Sequence, residues 1–152
     1  MRDHGPSQTR LRAWWAVVIW TVAGTGFGLA FFARGGPDGY AGDGARILAG
    51  AVAVAAGYAG YLLATWLTRG RRGEVMADER DAAVLARASR GTLVIVLLAV
   101  FALSVGLWEG YRAEGAVPVG WLWFLAYGTV IATFVVHSLA TLVVDSTHDG
   151  HA

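Results

Sequence analysis

The sequence predicts an all-α fold, a polytopic membrane four-helix bundle that takes up residues 1–152 as one integral membrane domain. Three observations predict it. Of 152 residues, 56% are hydrophobic and 15% charged, and the mean hydropathy is +0.51. Soluble domains average about 45–50% apolar and about 25% charged residues. Four long stretches carry almost no charge, and the arginines gather in alternate connections between them. This composition excludes intrinsic disorder and leaves too little chain outside the stretches for a sizeable soluble domain.

The first stretch runs from Ala13 to Ala33 and stops before Arg34. It is too long for a signal-peptide core and has no small-residue cleavage site after it, so it reads as a retained anchor. The second covers Ile47 to Leu67, the third Thr92 to Trp108 and the fourth Val119 to Val144. A helix needs ~20 apolar residues to cross ~30 Å of hydrocarbon. The first two fit that length. The third is short, and the fourth is long enough to tilt or project into the cytoplasm. Helix is the assignment throughout, because in lipid each backbone polar group must be paired within its own segment. Between the first two stretches, Arg34 to Arg46 reads RGGPDGYAGDGAR, with five glycines and one proline. It predicts a turn-rich, solvated connection without helix or strand. Asp38 and Asp43 match no calcium-loop spacing.

Orientation follows from arginine placement. Arg2, Arg10 and Arg12 precede the first stretch, and Arg69, Arg71, Arg72, Arg80, Arg87 and Arg90 lie between the second and third. The other two connections hold Arg34, Arg46 and Arg112. Nine against three place both termini and the middle connection in the cytoplasm of a multi-pass inner (cytoplasmic) cell-membrane protein. Trp14, Trp15 and Trp66 would mark the inner interface, and Tyr40, Trp108, Tyr111, Trp121 and Trp123 the outer one.

The chain has no Cys, which removes thiol redox chemistry, disulfides, cysteine-ligated metals and iron–sulfur clusters. It also has no Lys and no Asn, as a GC-rich coding sequence would give. A net charge of +1 offers no basic surface for nucleic acid.

In the second stretch Gly50, Ala53, Gly57, Gly60 and Ala64 recur at steps of three and four, a seam of small residues. Helices already in lipid associate by close backbone approach, which such a seam permits. Gly24 and Gly28 of the first stretch offer a matching GxxxG step, and Ala102 and Gly106 add small residues to the third. The same seam would serve a homo-oligomer.

Chemistry has few places to reside. His137 is the clear intramembrane ionisable group, with Glu109 at the outer end of the third stretch. Thr129, Thr133, His137, Thr141 and Asp145 form an i,i+4 row, with Ser138 beside it. Such a row can be a proton or ligand path in which His137 titrates. Alternatively it supplies interhelical hydrogen bonds, the threonines also bonding their own i−4 carbonyls. A small multidrug transporter would need an intramembrane carboxylate in the first spans, a haem cytochrome paired histidines, and a thiol oxidoreductase cysteines; none is present. Catalytic triads, phosphate loops and zinc-helix motifs are also missing, so the expectation is a non-enzymatic protein without cofactor. His4, His148, Asp149 and His151 near the termini carry no metal-ligand spacing beyond adventitious binding.

The last feature is Glu74 to Arg90, EVMADERDAAVLARASR. Rich in alanine and free of Gly and Pro, it predicts a cytoplasmic juxtamembrane helix over 74–91 that runs straight into the third span. Asp78, Glu79, Arg80 and Asp81 form a compact cluster in which none faces an opposite charge on its own helix. Val84, Leu85 and Ala88 mark an apolar side, while Arg87 and Arg90 suit lipid headgroups.

Asp78-Glu79-Arg80-Asp81, then Val84, Arg87-Ala88-Ser89 and Thr92 entering an apolar span, resembles a family of small four-helix prokaryotic integral membrane proteins, a domain of unknown function. That family carries a D-E-R motif in the cytoplasmic segment before its third helix; Val84 stands where it has a larger aliphatic residue. The resemblance implies the architecture and a hotspot at Asp78–Asp81, not a reaction. The expected function is a non-enzymatic accessory or signalling/scaffold subunit that docks a membrane or cytoplasmic protein partner through the charged helix. The alternative is a small transporter or pH/ligand sensor built on the row around His137.

Overall fold

The four apolar stretches are four helices, each longer than its apolar core. The computed structural model describes residues 8–33, 35–68 and 79–149, except the side chains of Gln8, of residues 79–81 and of 148–149. In chain order the helices are α1 (Gln8–Phe32), α2 (Gly36–Tyr40), α3 (Gly44–Leu67), α4 (Glu79–Tyr111) and α5 (Gly120–Asp149). No strand occurs among the described residues. Segments Thr9–Phe32, Gly44–Leu67, Ala82–Tyr111 and Gly120–Thr147 are long and apolar enough to cross a membrane.

The third span is not short. It is the second half of a 33-residue helix, about 50 Å long at 1.5 Å per residue, against ~30 Å of hydrocarbon. The juxtamembrane helix and the span are therefore one rod from Glu79 onward, and residues 74–78 of the expected helix lie outside the described residues.

The connection between the first two spans departs from its expectation, because it contains α2. Gly35 adopts a left-handed backbone (φ 96°) that turns the chain, and Pro37 sits in the first turn of the short helix, where its fixed φ and missing N–H cost nothing. Five residues carry no helical periodicity, so pattern reading passes over them. Asp43 is not a free acid in a solvated loop either. It is the N-cap of α3, its carboxylate accepting from the backbone N–H groups of Ala45 (3.1 Å) and Arg46 (3.2 Å).

α1 packs along both α3 and α5, and α5 along both α1 and α4, so the order across the bundle is α3–α1–α5–α4. The central position of α1 explains its buried row. Ala13, Ala16, Trp20, Ala23, Phe27 and Phe31 recur at steps of three and four and are all buried, as expected for a helix with a left-handed packing seam. Large members of this row enter the gaps left by glycine on α3. A Cβ on Gly57 would stand 3.1 Å from both Ala23 Cβ and the Trp20 ring, and one on Gly50 would collide with the Tyr40 hydroxyl and press on Phe27 at 3.2 Å. On its other side Trp20 stacks on Phe134 of α5, with centroids 4.3 Å apart.

The α3 seam thus faces α1, but Gly24 and Gly28 are not its partners. Gly24 faces Ile131 of α5 (2.9 Å to a built Cβ), Gly28 has nothing within 4 Å, and Gly26 is the α1 glycine that meets Ala53. Ala102 is exposed and Gly106 has nothing within 4 Å. At the opposite end of α5, the carbonyl of Pro37 lies where a Cβ on Gly120 would be, so α2 closes onto the start of α5 only because that residue is glycine.

The aromatic residues expected at the two interfaces differ in exposure. Trp14, Trp15, Trp66 and Trp108 point outward. Tyr40 does not: it is fully buried against Phe27 and Phe31. Trp121 is half-buried and donates its indole N–H to the Tyr111 hydroxyl at 3.1 Å.

Candidate functional site

Among the described residues, polar groups interrupt the apolar packing at each end of the α1–α3 pair. Extending the α3 seam by one step in each direction reaches Arg46 and Thr68, and those two residues organise the two sites.

At the α2 end, Arg46 is buried and reaches the end of α1. Its Nε donates to Ala30 O (3.0 Å), and its Nη2 to Phe31 O and to Gly36 O (3.2 Å). The last carbonyls of a helix have no partner inside it, so one guanidinium supplies the donors that α1 lacks and ties α2 and α3 to it. Its charge lies 5.4 Å from the Tyr40 ring centroid, within cation–π range. The Tyr40 hydroxyl has no hydrogen-bond partner among the described residues. Burial raises the phenol above its ordinary pKa of 10.0 and Tyr127 adds to the rise, while Arg46 acts against it. This end is a structural lock rather than an open site.

At the arginine-rich end a cleft of about 220 Å³ opens between the helices. Its walls include Arg12 and Ala16 of α1, Tyr61 and Thr65 of α3, Leu85 of α4, and His137 with Ser138 and Thr141 of α5. Arg12 is half-buried; its Nε donates to Thr68 Oγ1 (3.0 Å) and its Nη2 to Thr68 O (2.9 Å), which fastens the start of α1 to the end of α3. His137 is half-buried, with no ring hydrogen bond among the described residues. It also lines a second cleft, of about 240 Å³, with Ser89, Thr92 and Val96 of α4.

The polar row of α5 does not run straight down one face. Each step of four advances about 40° beyond a full turn, so the row spirals. Thr129 is half-buried, Thr133 exposed and His137 half-buried, while Thr141 and Asp145 are buried. Thr129, Thr133, Ser138 and Thr141 donate their hydroxyls to the carbonyls of Leu125, Thr129, Phe134 and His137, each four residues back in their own helix. Their lone pairs remain as acceptors. The structure therefore brings His137 and Thr141 together with Arg12 in one cleft, and Thr133 together with His137 in the other.

The arginines were legible in the sequence only as an orientation signal. Arg12 is in phase with the buried α1 row, and Arg46 with the α3 seam; extending those phases by one turn would have placed both inside. Glu109 forms an exposed pair with Arg112 at 3.8 Å, the kind of surface pair that contributes little. Asp78 lies outside the described residues, as do the side chains of Glu79, Arg80 and Asp81. On the same rod Val84, Ala88 and Thr92 are buried, so this half of α4 is packed in the bundle. Among the described residues no three metal-capable side chains gather; His4, His148 and His151 lie outside them, as does the side chain of Asp149.

No curated protein and no solved structure matches this chain. A family profile described as "Predicted membrane protein (DUF2178)" matches residues 12–140, from Arg12 at the mouth of the cleft to beyond His137. With four helices able to span a membrane and a match over most of its length, the chain belongs to the DUF2178 family of membrane proteins.

Proposed function

We propose that the protein is a non-enzymatic accessory or signalling/scaffold subunit of the cell membrane, both termini cytoplasmic, that docks a protein partner at Asp78–Asp81. One observation carries this reading. α4 is unbroken from Glu79 to Tyr111, and its first half is held by the buried row Val84, Ala88 and Thr92. A force applied at the charged start of this rod is transmitted into the span, because a helix has no joint at which to absorb it. Charge reversal by Asp78→Lys with Glu79→Lys should abolish co-purification of the partner from native membranes, while the melting temperature stays unchanged. Retention of the partner by the double variant would refute the docking role.

A second reading, a small transporter or pH/ligand sensor, is favoured by His137, which borders two clefts and has no ring hydrogen bond among the described residues. Replacing His137 with Ala should flatten the pH response of tryptophan fluorescence in the purified protein. An altered stability with an unaltered pH response would mark the histidine as structural.

A further inference from the structure

We propose that the cleft between Arg12 and His137 receives the phosphate headgroup of an anionic membrane lipid; this rests on the second reading, in which that cleft is a binding site. Arg12 supplies the charge. It is half-buried, makes its two hydrogen bonds to neutral Thr68 atoms, and has no carboxylate partner among the described residues. A cation partly withdrawn from water calls for a counter-charge. Because Thr68 holds Nε and Nη2, the guanidinium is fixed in place, and its Nη1 makes no hydrogen bond among the described residues.

The rest of the cleft suits the same ligand. His137 provides a ring N–H, and among the described residues no acidic side chain lines the cleft, so its described walls favour an anion over a metal cation. Ala16, Leu85 and Phe134 give it apolar wall, which matches the glycerol and first acyl carbons below a phosphate. About 220 Å³ is the room of roughly seven waters at ~30 Å³ each, enough for a headgroup but not for a whole lipid, whose chains would run outward along the helices. The position agrees. Arg12 lies in the first turns of α1, and Thr68 is the C-cap of α3, so the cleft opens at the level where these spans leave the hydrocarbon. Basic pockets between spans at that level hold acidic headgroups.

The test is native mass spectrometry of the full chain in detergent with equimolar phosphatidylglycerol and phosphatidylcholine. The wild type should prefer phosphatidylglycerol by about fivefold, the effect of one well-placed arginine. Arg12→Gln should bring the ratio close to one. Leu85→Trp should do the same by filling the cleft from a position that is 41% exposed, without touching the Arg12–Thr68 contact. An unselective wild type, or a preference kept by Leu85→Trp, would overturn the site. Inorganic phosphate added at the lipid concentration should leave the ratio unchanged; if it erased the preference, free phosphate rather than lipid would be the ligand. The His137→Ala response to pH is measured in parallel. Loss of the pH effect in a protein without lipid preference sinks this proposal alone, and an unaltered pH response with the preference intact sinks only the sensor role.

Discussion

Glycines on α3 and glycines on α4 look alike in the sequence and do opposite things. On α3, Gly50, Gly57 and Gly60 each face a side chain at a distance that leaves no room for a Cβ without a shift. On α4, Gly91, Gly106 and Gly110 have nothing within 4 Å. The first set is a packing surface and the second is open. What separates them is the neighbour: α3 lies against α1, whose Trp20 and Phe27 occupy the space that glycine vacates, whereas α4 packs on α5 through Val84, Ala88, Thr92 and Val96. In lipid a glycine stabilises only when another helix fills the space above it, because apolar burial does not itself drive association there.

Gly57→Leu is the strongest way to break this comparison. A built Cβ already stands 3.1 Å from Ala23 and Trp20, so three further carbons must separate α1 from α3, at about 3 kcal/mol or more. Thermal unfolding in detergent should show a large loss, and an unchanged midpoint would show that the seam is not a packing surface. Next in size is Arg46→Met, which keeps the length of the side chain and removes its donors. Leaving the end carbonyls of α1 unsatisfied should cost about 2 kcal/mol, read in the same melt and in faster hydrogen exchange at α2. Tyr40→Phe works in the other direction. It removes a buried hydroxyl without a partner among the described residues and keeps the ring beneath Arg46, so it should stabilise by about 1 kcal/mol. Gly106→Leu should be the smallest, neutral to about 0.8 kcal/mol stabilising through helix propensity. A clear loss there would sharpen the comparison, since it would reveal a second molecule covering that face of α4.

Much of the fold was legible in the sequence, and for a local reason. Each apolar stretch had to satisfy its own backbone, so length and composition sufficed to call for helices, and from Glu79 onward the juxtamembrane segment joins its span, with no Gly or Pro between Glu79 and Arg90. The α3 seam was legible too, since its period is a property of one helix. Its partner was not. Gly24 and Gly28 had the right spacing, but the turn of α1 puts Gly24 against α5 and leaves Gly28 open. The polar row of α5 was legible as a period of one helix, but not its division between two clefts: Thr133 and His137 share one, His137 and Thr141 the other.

The sequence by itself determined that the protein crosses a membrane as four helices, because hydropathy and backbone hydrogen bonding are settled within each segment. Only the tertiary structure decided the order α3–α1–α5–α4, the inward turn of Arg46, and the meeting of Arg12 with His137 across α1 and α5. Those depend on which faces of different helices come together, and a single helix carries the phase of its own pattern but not the phase of its neighbour.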